Sequence, residues 1–154
     1  MVLRSGDLAR LADSSATAQL NDTNLLVTVV CKAKTGATFL PLTVDYLHKA
    51  SALGRIPQTY QRRDAGSSNY EVLVARMVDR SLRPLFPANS FANEVQLVCN
   101  LLSFSGQDSP DVLCINAASY ALHNSSVPWN GPVGKCRQRQ ESEKNALRIT
   151  VALL

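Results

Sequence analysis

The sequence predicts an α+β domain, with strands and two helices layered around one core. Three observations carry this. Asn24 to Cys31 is rich in β-branched residues (Val27, Thr28, Val29, Val30) and reads as a buried strand. Ser68 and Glu71 have the S-x-x-E spacing of a capping box, ahead of a helical apolar pattern. Glu94 to Phe104 is a long apolar strand, and Ser109-Pro110 then opens a second helix with an N-cap followed by proline.

Taken in order, Leu8 to Leu11 and Ala16 to Leu20 read as short strands, and Asn21-Asp22-Thr23 is a turn signal. The strand Asn24 to Cys31 follows. Lys32 to Thr38, with Gly36, is a loop, and Leu40 to Tyr46 alternates as another strand. These four pieces predict an antiparallel meander. His48-Lys49 reads as surface, not as a catalytic pair. Gly54 to Ser67 has the Gly, Pro and Ser content of an irregular loop. The capped helix then runs from Asn69 to Arg83 and stops at Pro84, whose ring disfavours helical geometry at the residue before it.

At about 100° per residue, Val74, Val78, Leu82 and Leu85 fall on one side of this helix and predict its core face. Arg76, Arg80 and Arg83 fall on roughly the opposite side, with Asp79 near them. A charged helix face is most often merely solvated. Here it follows a loop that contains Arg62-Arg63. Five guanidiniums in one short segment point to a polyanion, because planar forked donors match phosphate oxygens. If all five met phosphates, binding to a single strand would fall with salt at a log–log slope of about −3.5.

The second helix, Pro110 to His123, carries Ile115, Ala118 and Leu122 beside Cys114, Ala117 and Ala121. So broad a surface of small apolar residues predicts close packing on a sheet. Asn116, Ser119 and His123 form a narrow polar stripe. Asp108 and Asp111 resemble a metal pair but read better as a turn residue and a first-turn helix residue.

The chain has 154 residues, the length of one domain or part of a larger one. Its 45% hydrophobic content is too high for a disordered chain. No apolar run approaches the roughly 18 residues that span a membrane, so no membrane partner is expected. A formal charge of +4, mostly from arginine, permits nucleic-acid binding without demanding it. Cys31, Cys99, Cys114 and Cys136 form no C-x-x-C pair and no zinc spacing. The first three lie in apolar segments and read as reduced core residues. Neither a secretory signal nor an Arg/Ser-rich transit segment opens the chain.

Several motifs resemble one family. They are Leu8-Ala9-Arg10, Pro41 to Tyr46, Gly54-Arg55-Ile56-Pro57, Arg62-Arg63, Asp79 to Pro87, Pro110 to Leu113 and Trp129-Asn130-Gly131-Pro132-Val133-Gly134. In this order they resemble the first RNase PH-type domain of the polynucleotide phosphorylases, and the Trp129 motif resembles the animal mitochondrial type. The resemblance implies the RNase PH-type fold, related to a domain of a small-subunit ribosomal protein. It implies a polyribonucleotide nucleotidyltransferase, in which inorganic phosphate attacks the last phosphodiester of an RNA 3′ end. For the full-length enzyme it also implies a divalent metal (Mg or Mn), a homotrimeric ring and mitochondrial location, with the cytoplasm as alternative.

Catalytic carboxylates and phosphate-binding serines belong, by resemblance, to a second RNase PH-type domain. No catalytic and no metal-binding residue is therefore expected in this chain. The expected contribution is contact with single-stranded RNA. The family's channel loop reads Tyr60-Gln61-Arg62-Arg63 here, so Tyr60, Arg62 and Arg63, with Arg76, Arg80 and Arg83 of the helix, are the expected RNA-binding residues. Tyr60 keeps an aromatic face for base stacking, whereas Gln61 departs from the family's phenylalanine.

Two units are expected. Residues 1–134 form a partial RNase PH-type domain, incomplete at its C-terminus, and residues 135–154 form a divergent tail. The polar run Lys135 to Asn145 suggests no regular structure, and Leu147 to Leu154 could add a strand or a helical turn. The alternatives to an RNA-binding part of an exoribonuclease are a non-enzymatic RNA-binding module and a non-functional truncated product.

Overall fold

A computed structural model describes residues 1–33, 40–64, 66–87, 93–138 and 148–153. Strand β3 (Thr23–Lys32) is the centre of a five-stranded sheet. Its alternation places Leu25, Val27 and Val29 fully inside, while Leu26, Thr28 and Val30 are half-buried on the other face. On one side of it lie β2 (Ser14–Leu20) and then β1 (Val2–Ser5), both antiparallel. On the other side lies β5 (Glu94–Ser103), also antiparallel, and β4 (Leu42–Leu47) forms the edge.

Strand β4 runs parallel to β5, from Leu42 opposite Val95 to Leu47 opposite Asn100. The expected antiparallel pairing is therefore correct for β2 with β3 and wrong for β4. Parallel neighbours need a long crossover. Here it holds a short 3-10 turn (Ala50–Leu53), the arginine loop and helix α1 (Asn69–Leu82). The arginine segment is thus the connection that the topology requires between the two strands.

The first strand also differs from expectation. It is Val2–Ser5, and Leu8 to Leu11 is a turn region. Gly6 and Ala9 have positive φ, the Ala12 amide donates to the Ala9 carbonyl, and Leu11 is fully exposed. Among the described residues no strand pairs with this stretch.

Helix α2 (Pro110–His123) packs on β2 and β3 through Cys114, Ala117, Ala118 and Ala121, all at 0% exposure. Side chains this small let the helix approach the sheet closely. Helix α1 packs on β4 through Val74, Val78 and Leu82, and both helices share one core with the sheet. Cys99 and Cys114 lie inside this core as free thiols, Cys31 at its margin, and Cys136 is exposed. The hydrogen bond with Cys114, together with burial, pushes the Cys99 thiol well above its ordinary value, which keeps it neutral.

The polar stripe of α2 has a partner. Asn116 accepts from the Lys135 amide at 2.7 Å and donates to its carbonyl at 3.0 Å. Ser119 Oγ accepts from the Val133 amide at 2.8 Å. These bonds hold β6 (Val133–Gln138) against α2, and β7 (Arg148–Leu153) pairs antiparallel with β6. The run from Lys135, expected to be without structure, is strand as far as Gln138, because β7 pairs with it along its length and Asn116 of α2 bonds its first residue. Residues 139–147 lie outside the described residues. No described helix is long and apolar enough to cross a membrane.

Candidate nucleic-acid interface

Helix α1 begins as its sequence dictates. Ser68 Oγ accepts from the Glu71 amide at 3.2 Å, and Glu71 Oε2 accepts from the Ser68 amide at 2.5 Å. With Val74, Val78 and Leu82 inside, Arg76 and Arg80 project outward and are exposed. Leu85, expected on the core face, is only half-buried, in a 3-10 turn that Pro84 starts.

Arg83 behaves differently from its two neighbours. Its Nε and NH2 groups grip the Asp79 carboxylate, with a shortest contact of 2.6 Å. NH1 donates to the Leu40 carbonyl at 3.2 Å and NH2 to the Leu42 carbonyl at 3.1 Å. A guanidinium has five N–H groups, and most of these are committed to the fold. The expected pairing of Asp79 with a helix arginine is present, but it ties Arg83 to the edge of β4. Among the described residues, no side chain or carbonyl takes the guanidiniums of Arg62, Arg63, Arg76 or Arg80.

The loop raises its arginines on a small hydrogen-bonded turn. The Arg62 amide donates to the Thr59 carbonyl at 2.8 Å. Thr59 Oγ1 accepts from the Arg63 amide at 3.2 Å and donates to the Arg63 carbonyl at 2.8 Å. Arg62 itself has φ 51, a left-handed conformation that costs a non-glycine residue about 1 kcal/mol. Tyr60 is 103% exposed, so its whole ring faces solvent. An aromatic face beside two exposed guanidiniums is the combination that suits single-stranded nucleic acid: stacking for bases and forked donors for phosphates.

Two grooves flank α1. One of about 400 Å³ lies between the helix and β4, and Asp45, Ser67, Glu71, Arg76 and Asp79 are among its walls. The other, of about 760 Å³, is lined by Leu73, Arg76, Met77, Arg80 and Leu85. Arg76 stands on the ridge between them. Leu73, 61% exposed, gives the second groove an apolar wall. Sequence reading passed it over, although its spacing from Arg76 and Arg80 (i+3, i+7) puts all three on one face.

Asp108 and Asp111 do not converge on a metal. Asp108 accepts from Asn21, Thr23 and Ser105, and Asp111 from Lys135 Nζ at 3.1 Å. No cluster of three His, Cys, Asp or Glu side chains occurs among the described residues. These residues do not fit a resident divalent ion, and no step is derived through one.

The end of α1 is sealed from below by the Trp129 motif. Trp129 Nε1 donates to the Leu82 carbonyl at 3.4 Å, and the Asn130 amide to the Leu85 carbonyl at 3.0 Å. A Cβ on Gly131 would collide with the Trp129 indole, so only glycine fits there.

The fold and its arginine surface can be set beside known proteins. Residues 1–128 match the model of the 3′ exoribonuclease family, domain 1. The chain belongs to this family. Its curated relatives include the polyribonucleotide nucleotidyltransferase of Legionella pneumophila (strain Paris), 40% identical over 166 aligned positions. That alignment takes in 99% of this chain, tail included, and 23% of the relative. Polyribonucleotide nucleotidyltransferase 2, mitochondrial, of Arabidopsis thaliana is 46% identical over 134 positions, covering 86% of this chain and 13% of the relative. The chain thus spans about a quarter or less of the length of the curated relatives it matches (23% and 13%).

Solved members of the RNase PH-type fold agree in shape. The Archaeoglobus fulgidus exosome with RNA bound to the active site superposes with a TM-score of 0.70 at 15% identity, over 96% of this chain and 64% of that one. Rice (Oryza sativa) Rrp46 superposes with a TM-score of 0.65 at 18% identity, over 87% and 58%. At such identities the likeness is one of fold, and the predicted α+β, RNase PH-type architecture is correct.

Proposed function

We propose that this chain is the RNA-binding part of a phosphorolytic 3′→5′ exoribonuclease, a polyribonucleotide nucleotidyltransferase acting in RNA degradation and processing. The observation that carries the reading is a set of exposed arginines, Arg62 and Arg63 on the loop with the exposed Tyr60 ring and Arg76 and Arg80 on α1, whose guanidiniums have no partner among the described residues, in a 3′ exoribonuclease domain. These five residues contact single-stranded RNA directly. Arg83 serves the same surface by fixing the end of α1 to β4. In the whole enzyme, a second RNase PH-type domain would hold the inorganic phosphate that attacks the RNA and a divalent metal that would stabilise the developing charge, and three copies would close a ring.

The enzyme is of the animal mitochondrial type and acts in mitochondria, the cytoplasm being the alternative site. The Trp129-Asn130-Gly131-Pro132 motif supports the type, and the mitochondrial Arabidopsis relative supports the location alone. Residues 1–134 are the partial RNase PH-type domain. Residues 135–154 are the divergent tail.

Photocrosslinking of a thiouridine-containing oligonucleotide, followed by peptide mapping, tests the RNA surface. Adducts are expected on the peptides that carry Tyr60 and Arg76 to Arg80; adducts confined to other parts of the chain contradict the proposal. A second reading is a non-enzymatic RNA-binding module, which the same exposed arginines and Tyr60 would serve. Oligo(A) retained intact in the presence of inorganic phosphate agrees with both readings. Release of nucleoside diphosphates by this chain alone would exclude the module and place catalysis in the first domain.

A further inference from the structure

Beyond its place in the capping box, Glu71 makes a contact that a helix cap does not need. Its Oε1 accepts from the His48 amide at 2.6 Å, while Oε2 accepts from the Ser68 amide at 2.5 Å. His48 is where the chain leaves β4, and Ser68 is where it enters α1. Between them lie the 3-10 turn Ala50–Leu53 and the arginine loop. One carboxylate, 8% exposed, thus holds the amides at both ends of that loop. Burial alone would raise the pKa of Glu71, but the amides of His48 and Ser68 outweigh it and hold the carboxyl below its ordinary value.

The surroundings make His48 a firm anchor. Its ring packs edge-on against Phe104, Tyr70 and Tyr46, with centroids at 5.3, 5.9 and 6.4 Å. Just beyond it, the Phe104 amide donates to the Ala52 carbonyl at 3.0 Å. The Ala50 amide donates to Asp64 Oδ2 at 3.2 Å, a second tie across the loop. The base of the loop is therefore fixed, while Tyr60, Arg62 and Arg63 stand free at its tip.

We infer that Glu71 is a positioning residue for RNA binding: its carboxylate clamps the start and end of the arginine loop together and so presents Tyr60, Arg62 and Arg63 to the strand. The role in RNA binding rests on the function proposed above; the clamp does not. Fixing both ends lowers the number of shapes that the loop samples, and ligand binding then has less disorder to remove.

The variant Glu71→Gln separates the clamp from the cap. Glutamine at this helix position still completes a capping box, because its amide oxygen accepts from Ser68. Its amide nitrogen is a donor and cannot accept from the His48 amide. Limited trypsin digestion after Arg62 and Arg63 is expected to run about tenfold faster in Glu71→Gln, the scale of one hydrogen bond to a charged group. Oligo(A) binding should weaken by a similar factor with its salt slope kept. Ser68→Ala removes the hydroxyl of the cap but leaves both amide bonds to Glu71, and should leave digestion within about twofold of wild type.

Unchanged digestion and binding in a folded Glu71→Gln protein would overturn the clamp. If that variant fails to fold, hydrogen exchange in the wild-type chain decides: a His48 amide as protected as those of β4 supports the clamp, and one exchanging as fast as the loop overturns it. Faster digestion of the variant, in a protein that binds no oligo(A) even as wild type, supports the clamp and overturns the RNA reading instead.

Discussion

The two ends of α1 use the same chemistry to opposite purposes. At the far end, Arg83 is locked onto Asp79 and two carbonyls of the β4 segment, and the Trp129 motif seals the helix from beneath. At the near end, Arg62 and Arg63 stand on a hydrogen-bonded turn with no partner for their guanidiniums among the described residues, and Tyr60 is fully exposed beside them. Arg76 and Arg80 line the outer face between the two ends. Arginine at one end is a fastener, and at the other it is a reagent for phosphate. The difference lies in the neighbours: carbonyls and a carboxylate converge on Arg83, whereas the loop turns its own polar groups inward and leaves its arginines to solvent.

Substitutions at the far end should therefore damage folding, and those at the near end should damage binding. The largest effect on folding is expected from Gly131→Ala, which forces a methyl group into the Trp129 ring. A loss of about 2–3 kcal/mol in urea unfolding is expected, the scale of overpacking a filled site. Arg83→Ala comes next. Water screens its exposed pair with Asp79, so the loss rests on the two carbonyl bonds and amounts to about 2 kcal/mol. Arg80→Ala on the same helix should leave the unfolding midpoint unchanged. An Arg80 variant as unstable as the Arg83 variant would erase the distinction between the two ends.

Tyr60→Ala belongs to the near end. It should weaken oligo(A) binding about tenfold by loss of one stacked base, with thermal stability unaltered. Weakened folding instead would mean that the exposed ring serves the structure.

The smallest effect concerns pH. The folded-state pKa of Glu71 is held below its ordinary 4.5. Its stabilising contribution is therefore complete above that value, and is lost as pH falls below 4.5 through the folded pKa. Stability measured across this acidic range should fall less steeply in Glu71→Gln than in wild type. Parallel curves would show that the carboxylate carries no such contribution.

What the sequence made legible was local. The Ser68–Glu71 box, Pro110 at the first position of α2 and the β-branched alternation of β3 are signals confined to a few neighbouring residues, and each element formed as they indicate. The misses all depend on distant partners. Strand β4 lies parallel to β5 because Leu42 meets Val95, a pairing invisible to local alternation. The polar stripe of Asn116 and Ser119 was visible, but not that it would hold β6. Lys135 sits at an inward position with its amine against Asp111 and Met77, where strand alternation alone would call for an apolar side chain. The helix arginines were found by their spacing, yet spacing could not divide Arg83 from Arg76 and Arg80. That division depends on the Leu40 and Leu42 carbonyls, some forty residues earlier in the chain.

The most direct measurement is binding of a fluorescent oligo(A) strand across a salt series, for the wild-type chain and for Arg62→Glu/Arg63→Glu. With Arg83 committed to the fold, four free guanidiniums give a log–log slope of about −2.8, and the double variant should flatten it to about −1.4 or less while binding weakens. An unchanged slope in the double variant, or no wild-type binding at low salt, would contradict the assignment of the loop as an RNA surface.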